Sequence, residues 1–162
     1  MKKILIIFGT RSEAIKLAPI IVKLREQRHI QSRVCVTAQH RQMLDQVLNL
    51  FAIEPDIDLN LMQPEQTLAE ITSRVMMGID QILLKENPDL ILIQGDTTTV
   101  MTTALAAFYR GITVAHVEAG LRSGDSHSPF PEEVNRRIVS IVSSFHFAPT
   151  ETADCSPSGR CS

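Results

Sequence analysis

No apolar run in the chain approaches the roughly 20 residues needed to cross a bilayer. Its 3 cysteines are odd in number and lack metal-type spacing, which argues against a zinc framework and for a reduced, cytoplasmic protein with no structural disulfide. Neither sign of charge dominates: 16 basic residues stand against 18 acidic ones, a formal net charge of -2. Nucleic acid and anionic membrane are thereby excluded as main partners, and a small ligand is left. Internal repeats are missing, and low-complexity sequence is absent until the closing CSPSGRCS, which is small and polar. The opening MKKILIIFGT pairs basic residues with an apolar run, but the run is short and no small-residue cleavage site follows. It reads as a buried strand rather than a signal peptide.

What is present suits one domain with a real core: 162 residues, 44% of them hydrophobic. Four short β-rich runs stand out, Lys3 to Gly9, Arg33 to Ala38, Leu90 to Gly95 and Ile112 to Ala119. Between them, Ala14 to Gln27, Gln42 to Phe51, Thr67 to Glu86 and Thr98 to Tyr109 carry apolar residues at helical spacing, with Met76, Met77 and the leucines of the third segment assigned to the core. A further helix starts at Pro131, since proline suits a first helical turn, and leads into a last strand, FHFAPT. DIDLN, Asp56 to Asn60, offers a sixth strand. The alternation predicts an α/β fold, a Rossmann-like parallel sheet with helices on both faces.

Ligands of such sheets bind beyond the carboxyl ends of the strands, where strand order reverses. Polar residues do follow each strand: Gly9-Thr10-Arg11, Gln39-His40-Arg41, Gly95-Asp96-Thr97 and Glu118 to Arg122. The stretch from His116 to Arg136 concentrates carboxylates, histidines and arginines with no hydrophobic period. FGTRSEAIK places a glycine and a cation at a strand-to-helix turn, where free N–H groups attract anions and where Arg11 and Lys16 would neutralise a phosphate. Thr10 and Glu13 fit a capping box, so Glu13 reads as structural. The turn is neither G-x-G-x-x-G nor a Walker loop, and by itself says little about nucleotides. Asp96 and the threonines after it read equally as a helix cap or as chemistry. Glu118 ends the next strand; of Glu132 and Glu133, one serves the helix dipole. His116 and Cys35 read as core residues, and His40 stays undecided. Several carboxylates beside several cations suit proton transfer on a phosphorylated substrate, without showing which carboxylate is acid and which base.

FGTRSEAIKLAP, VTAQHRQMLDQVL, GDTTT, AAFYRGITVAHVEAGLRSGD and SPFPEEVNR, in this order, resemble the non-hydrolysing UDP-N-acetylglucosamine 2-epimerase family over residues 1 to 154. The resemblance implies the N-terminal domain of a two-domain, glycosyltransferase-B-like fold with UDP-sugar in the cleft. It implies inversion at C2 of UDP-GlcNAc to give UDP-ManNAc, by anti elimination of UDP to 2-acetamidoglucal and syn re-addition, with no metal or other cofactor, in a cytoplasmic homodimer serving polysaccharide biosynthesis. By motif, Asp96, Glu118 and Glu132 match the catalytic carboxylates, Arg11 and Lys16 lie near the phosphates, and Arg122 and Arg136 support them. Gln39, His40 and Gln42 match the segment binding a second, activating UDP-GlcNAc. Ser12, Gln94 and Phe130 depart from the usual proline, histidine and tryptophan or tyrosine.

Residues 155–162 resemble nothing in the family and read as an unrelated tail, with the C-terminal UDP-binding domain absent, so the chain is expected to be a truncated member. Bare interdomain and dimer surfaces would favour association. Two alternatives stay open: a catalytically silent UDP-sugar-binding or subunit-interaction fragment, and a hydrolysing epimerase or glycosyltransferase subunit.

Overall fold

A computed structural model describes residues 1–37, 41–61, 63 and 65–149. Six strands form one wholly parallel sheet: β1 Lys2–Phe8, β2 Ile30–Val36, β3 Ile57–Asp58, β4 Leu90–Gln94, β5 Thr113–Val117 and β6 Phe145–Phe147. Their order is β3-β2-β1-β4-β5-β6, so strand order reverses between β1 and β4. Five helices connect them: α1 Arg11–Arg25, α2 Arg41–Leu50, α3 Leu68–Glu86, α4 Thr98–Tyr109 and α5 Glu132–Val142. This is the Rossmann-like fold expected, with DIDLN contributing its short strand.

Alternation along β1 builds two cores from one strand. Leu5 and Ile7 join Cys35, Ile91, Ile93 and the inner faces of α3 and α4. Ile6 and Phe8 join Val34, Val36 and the inner faces of α1 and α2. Burial pushes the Cys35 thiol up to about 12, in keeping with a core residue.

Some expectations are corrected. Helix α1 starts at Arg11 rather than Ala14, because the Thr10–Glu13 capping box sets its first turn. Strand β2 starts at Ile30, since its polar first half still pairs with β1. Pro131 is the N-cap of α5, without a side-chain cap bond. Met76 does pack against the core, but Met77, Leu84 and Leu68 are exposed. On the α1 side, a groove of about 560 Å3 over β4, β5 and β6 has an entirely apolar lining that includes Ile20, Leu24, Val117, Phe145 and Phe147. Among the described residues no helix is long and apolar enough to cross a membrane.

Candidate functional site

The loops after β1, β4 and β5 meet at the reversal of strand order. Glu13 ties the first to the second: its carboxylate accepts hydrogen bonds from the Gly9 and Thr10 N–H groups at 2.7 and 3.1 Å and from the Thr97 hydroxyl at 3.0 Å. It is buried, and burial raises its pKa although these donors pull the other way. Gly9 permits the close approach, because a Cβ there would run into the Thr37 hydroxyl of the adjoining β2 loop.

Asp96 follows β4 by two residues. Its carboxylate accepts from Arg136 Nε at 2.9 Å and pairs with Arg136 Nη2 at 2.7 Å, while Asn135 Nδ2 donates to its backbone carbonyl at 2.8 Å. Helix α5 thus holds both ends of Asp96. From the other side His116 Nε2 is 2.7 Å from the Gly95 carbonyl, with its Nδ1 buried and unpartnered. Burial lowers the His116 pKa, so the ring is held neutral and Nε2 carries the proton. The core assignment stands, with a structural task added.

Glu118 follows β5 by one residue and sits at φ +66, in the left-handed region that side chains other than glycine seldom enter. Its N–H and that of Ala119 both donate to Phe147 of β6, at 2.9 and 3.1 Å, which pins this conformation. The carboxylate receives Lys16 Nζ at 2.6 Å on both oxygens and a short hydrogen bond from Gln94 Nε2. Lys16 therefore reaches across from α1 to a carboxylate. Arg11 is exposed at the first turn of α1.

Glu132 lines a cavity of about 160 Å3 with Thr97, Thr98, Thr99 and Asn135. Glu133 is the structural member of the pair: it is buried and accepts from Ser123 N–H at 3.0 Å and Arg137 Nε at 3.1 Å. Burial pushes its carboxyl up, but these donors win and hold it below the ordinary value. Arg122 is anchored on α5, donating to the Ser140 hydroxyl at 2.6 Å and to the Leu121 carbonyl at 2.7 Å. Gln42 is exposed in the first turn of α2. Gln39, His40 and the 155–162 tail, with Cys155 and Cys161, lie outside the described residues.

The structure thus brings Asp96 and Glu118 to neighbouring strand ends, with Lys16 of α1 on Glu118, Arg136 of α5 on Asp96, and Glu132 of α5 in the cavity beside Thr97. Sequence reasoning missed Gln94, Asn135 and the tie from Glu13 to Thr97. Gln94 is a polar side chain buried at the last position of β4, a signal visible in the sequence. Among the described residues no group of His, Cys, Asp and Glu is placed to hold a metal ion.

The arrangement has close counterparts. A sequence model described as UDP-N-acetylglucosamine 2-epimerase matches residues 22–156. The UDP-N-acetylglucosamine 2-epimerase of Salmonella typhimurium is 57% identical over 151 residues, 93% of this chain and 40% of that protein. The crystal structure of UDP-GlcNAc 2-epimerase from Neisseria meningitidis bound to UDP-GlcNAc superposes with a TM-score of 0.93 at 52% identity, covering 96% of this chain and 42% of that one. The enzyme from Methanocaldococcus jannaschii in complex with UDP-GlcNAc and UDP gives 0.90 at 41% identity, covering 96% and 42%. The chain spans about 40% of the length of the relatives it matches. Over that span the fold and the identity agree, and the chain belongs to the UDP-N-acetylglucosamine 2-epimerase family.

Proposed function

We propose that this chain carries the proton-transfer half of a UDP-GlcNAc 2-epimerase site, which interconverts UDP-GlcNAc and UDP-ManNAc by loss and re-addition of UDP. The observation that supports it is the pair of carboxylates on adjacent strand ends, Glu118 with Lys16 and Gln94, and Asp96 with Arg136. The hydrogen on C2 of the sugar is a poor acid, so its removal needs a carboxylate held in place. The departing UDP needs cations at its developing charge, and Arg11, exposed in the first turn of α1, supplies one. Lys16 is shared: it balances Glu118 and lies on the helix whose start would face the pyrophosphate. Glu132, at the mouth of α5, is the third candidate. Arg122 braces α5 and with it Arg136. In this reading residues 1–154 form the N-terminal domain of the larger fold, the protein is cytoplasmic and works as a pair of copies, and Gln39, His40 and Gln42 take the activating sugar nucleotide.

A second reading, UDP-sugar binding without turnover, asks of the same loops only that they hold the ligand, with Arg11 and Lys16 near its phosphates. Both readings require binding, which is tested by titrating the labelled chain with UDP-GlcNAc and following the amide resonances of Gly9, Gly95 and Gly120. Saturable shifts confined to these strand-end loops are expected; no shift at millimolar sugar nucleotide would overturn both.

A further inference from the structure

Lys16 Nζ lies 2.6 Å from both oxygens of the Glu118 carboxylate, and Gln94 Nε2 donates to one of them. These bonds fill most of the roughly four acceptor positions a carboxylate offers. While the lysine is in place, Glu118 has little left to turn toward a sugar. Its two side-chain partners differ in kind. Gln94 is buried at the end of β4, 2% exposed, whereas the Lys16 side chain is 48% exposed on α1. Glu118 itself is fixed from behind, at φ +66, because its own N–H and that of Ala119 donate to Phe147 of β6. If this ion pair opens, it is the lysine that moves.

Opening costs little, since water competes for both members of a half-exposed pair. The lysine ammonium is a compact charge on a flexible stem, and side chains of a helix lean toward its N-terminus. A phosphate at the first turn of α1 therefore lies on the side to which Lys16 already leans. It brings more negative charge than one carboxylate, in the field of a helix start that favours anions. We propose that Lys16 changes partners: it covers Glu118 in the empty site and passes to the phosphate of a bound sugar nucleotide, leaving the carboxylate, still aimed by Gln94, open to the sugar. A sugar without phosphate would leave the lysine where it is and meet a covered carboxylate. Lys16 thereby selects for phosphorylated sugars by controlling access to Glu118. The inference rests on the reading above for the place of the phosphate, and deepens it by making the two contacts of Lys16 alternate rather than coexist.

Titration with UDP, followed by NMR on the full chain, tests this in the unaltered protein, Glu118→Gln, Lys16→Met and the double variant. Glu118→Gln should bind UDP about fivefold tighter, because the phosphate no longer competes with an ion pair of that strength. The gain should vanish when Lys16 is already methionine. A gain that persists without the lysine would be relief of repulsion between two anions, and would overturn the exchange of partners; so would unchanged or weaker binding by Glu118→Gln. A second measurement needs no variant at position 118 to fold. The Lys16 ammonium resonance, assigned by its absence from Lys16→Met, should move on saturation with UDP and stay in place with uridine, and a resonance unmoved by UDP would overturn the proposal. An unaltered chain that binds no UDP at millimolar concentration would overturn the phosphate site of the reading above together with the exchange, whereas binding that leaves the Lys16 resonance unmoved would remove the exchange alone.

Discussion

Single side chains carry much of the site, and several act through contacts the sequence does not announce. Capping-box spacing made Glu13 legible as structural, but its bond to Thr97 joins residues far apart in the chain and needed the fold. The same holds for Gly9, whose requirement lies in the Thr37 hydroxyl just past the end of β2 rather than in backbone conformation. Gly9→Ala should cost about 1–3 kcal/mol by forcing those strands apart, read as a lower midpoint in urea with unchanged slope. An unaltered midpoint would mean that Thr37 turns away freely. Arg11, exposed beside the helix start, should matter to ligand and not to folding. Arg11→Ala is expected to weaken UDP-GlcNAc binding about tenfold, the worth of one hydrogen bond to a charged group, with the thermal midpoint unmoved. Equal affinity in isothermal titration would remove it from the phosphate site.

Elements were legible where periodicity and caps agreed. The Thr67–Glu70 capping box of α3 is formed in both directions, and Asn87 closes that helix in the left-handed conformation at φ 43. Thr67→Ala should therefore lose about 1 kcal/mol. Asn87→Val should lose about 1–2 kcal/mol because a branched side chain resists that conformation, whereas Asn87→Gly should match the unaltered chain or exceed it. Denaturant titration of the three variants checks the order. What helical spacing could not reveal is which side of α3 meets the sheet. The helix has more apolar residues than one face can bury, so Met77 and Leu84 were assigned to a core they do not enter.

For the whole molecule, alternating β-rich and helical segments predicted a parallel sheet, and with it the edge at which the loops would gather. The left-handed turn at Glu118 was not visible, because it depends on β6, about thirty residues later, supplying Phe147. Stability should fall as the solution is made acid, for two reasons that act in sequence. His116 and His146 are held neutral by burial, which lowers their pKa, so the unfolded chain takes up protons first and stability is lost as pH falls below about 6.5. Glu133, held low by its donors, contributes stability that is present above the ordinary carboxylate range and is lost as pH falls through it. His116→Asn should flatten the first part of the thermal midpoint curve and Glu133→Gln the second, the latter at a cost of about 1–2 kcal/mol near neutral pH for the weakened bonds from Ser123 and Arg137. A midpoint curve unchanged in shape by both would contradict the assignment. The first measurement to make is deuterium entry at C2 of UDP-GlcNAc in heavy water, followed by NMR beside Glu118→Gln and Asp96→Asn. Exchange with the unaltered chain and its loss in both variants is the expected result for a working proton-transfer site. Saturable binding with no exchange would contradict turnover by this chain and leave the binding reading in its place.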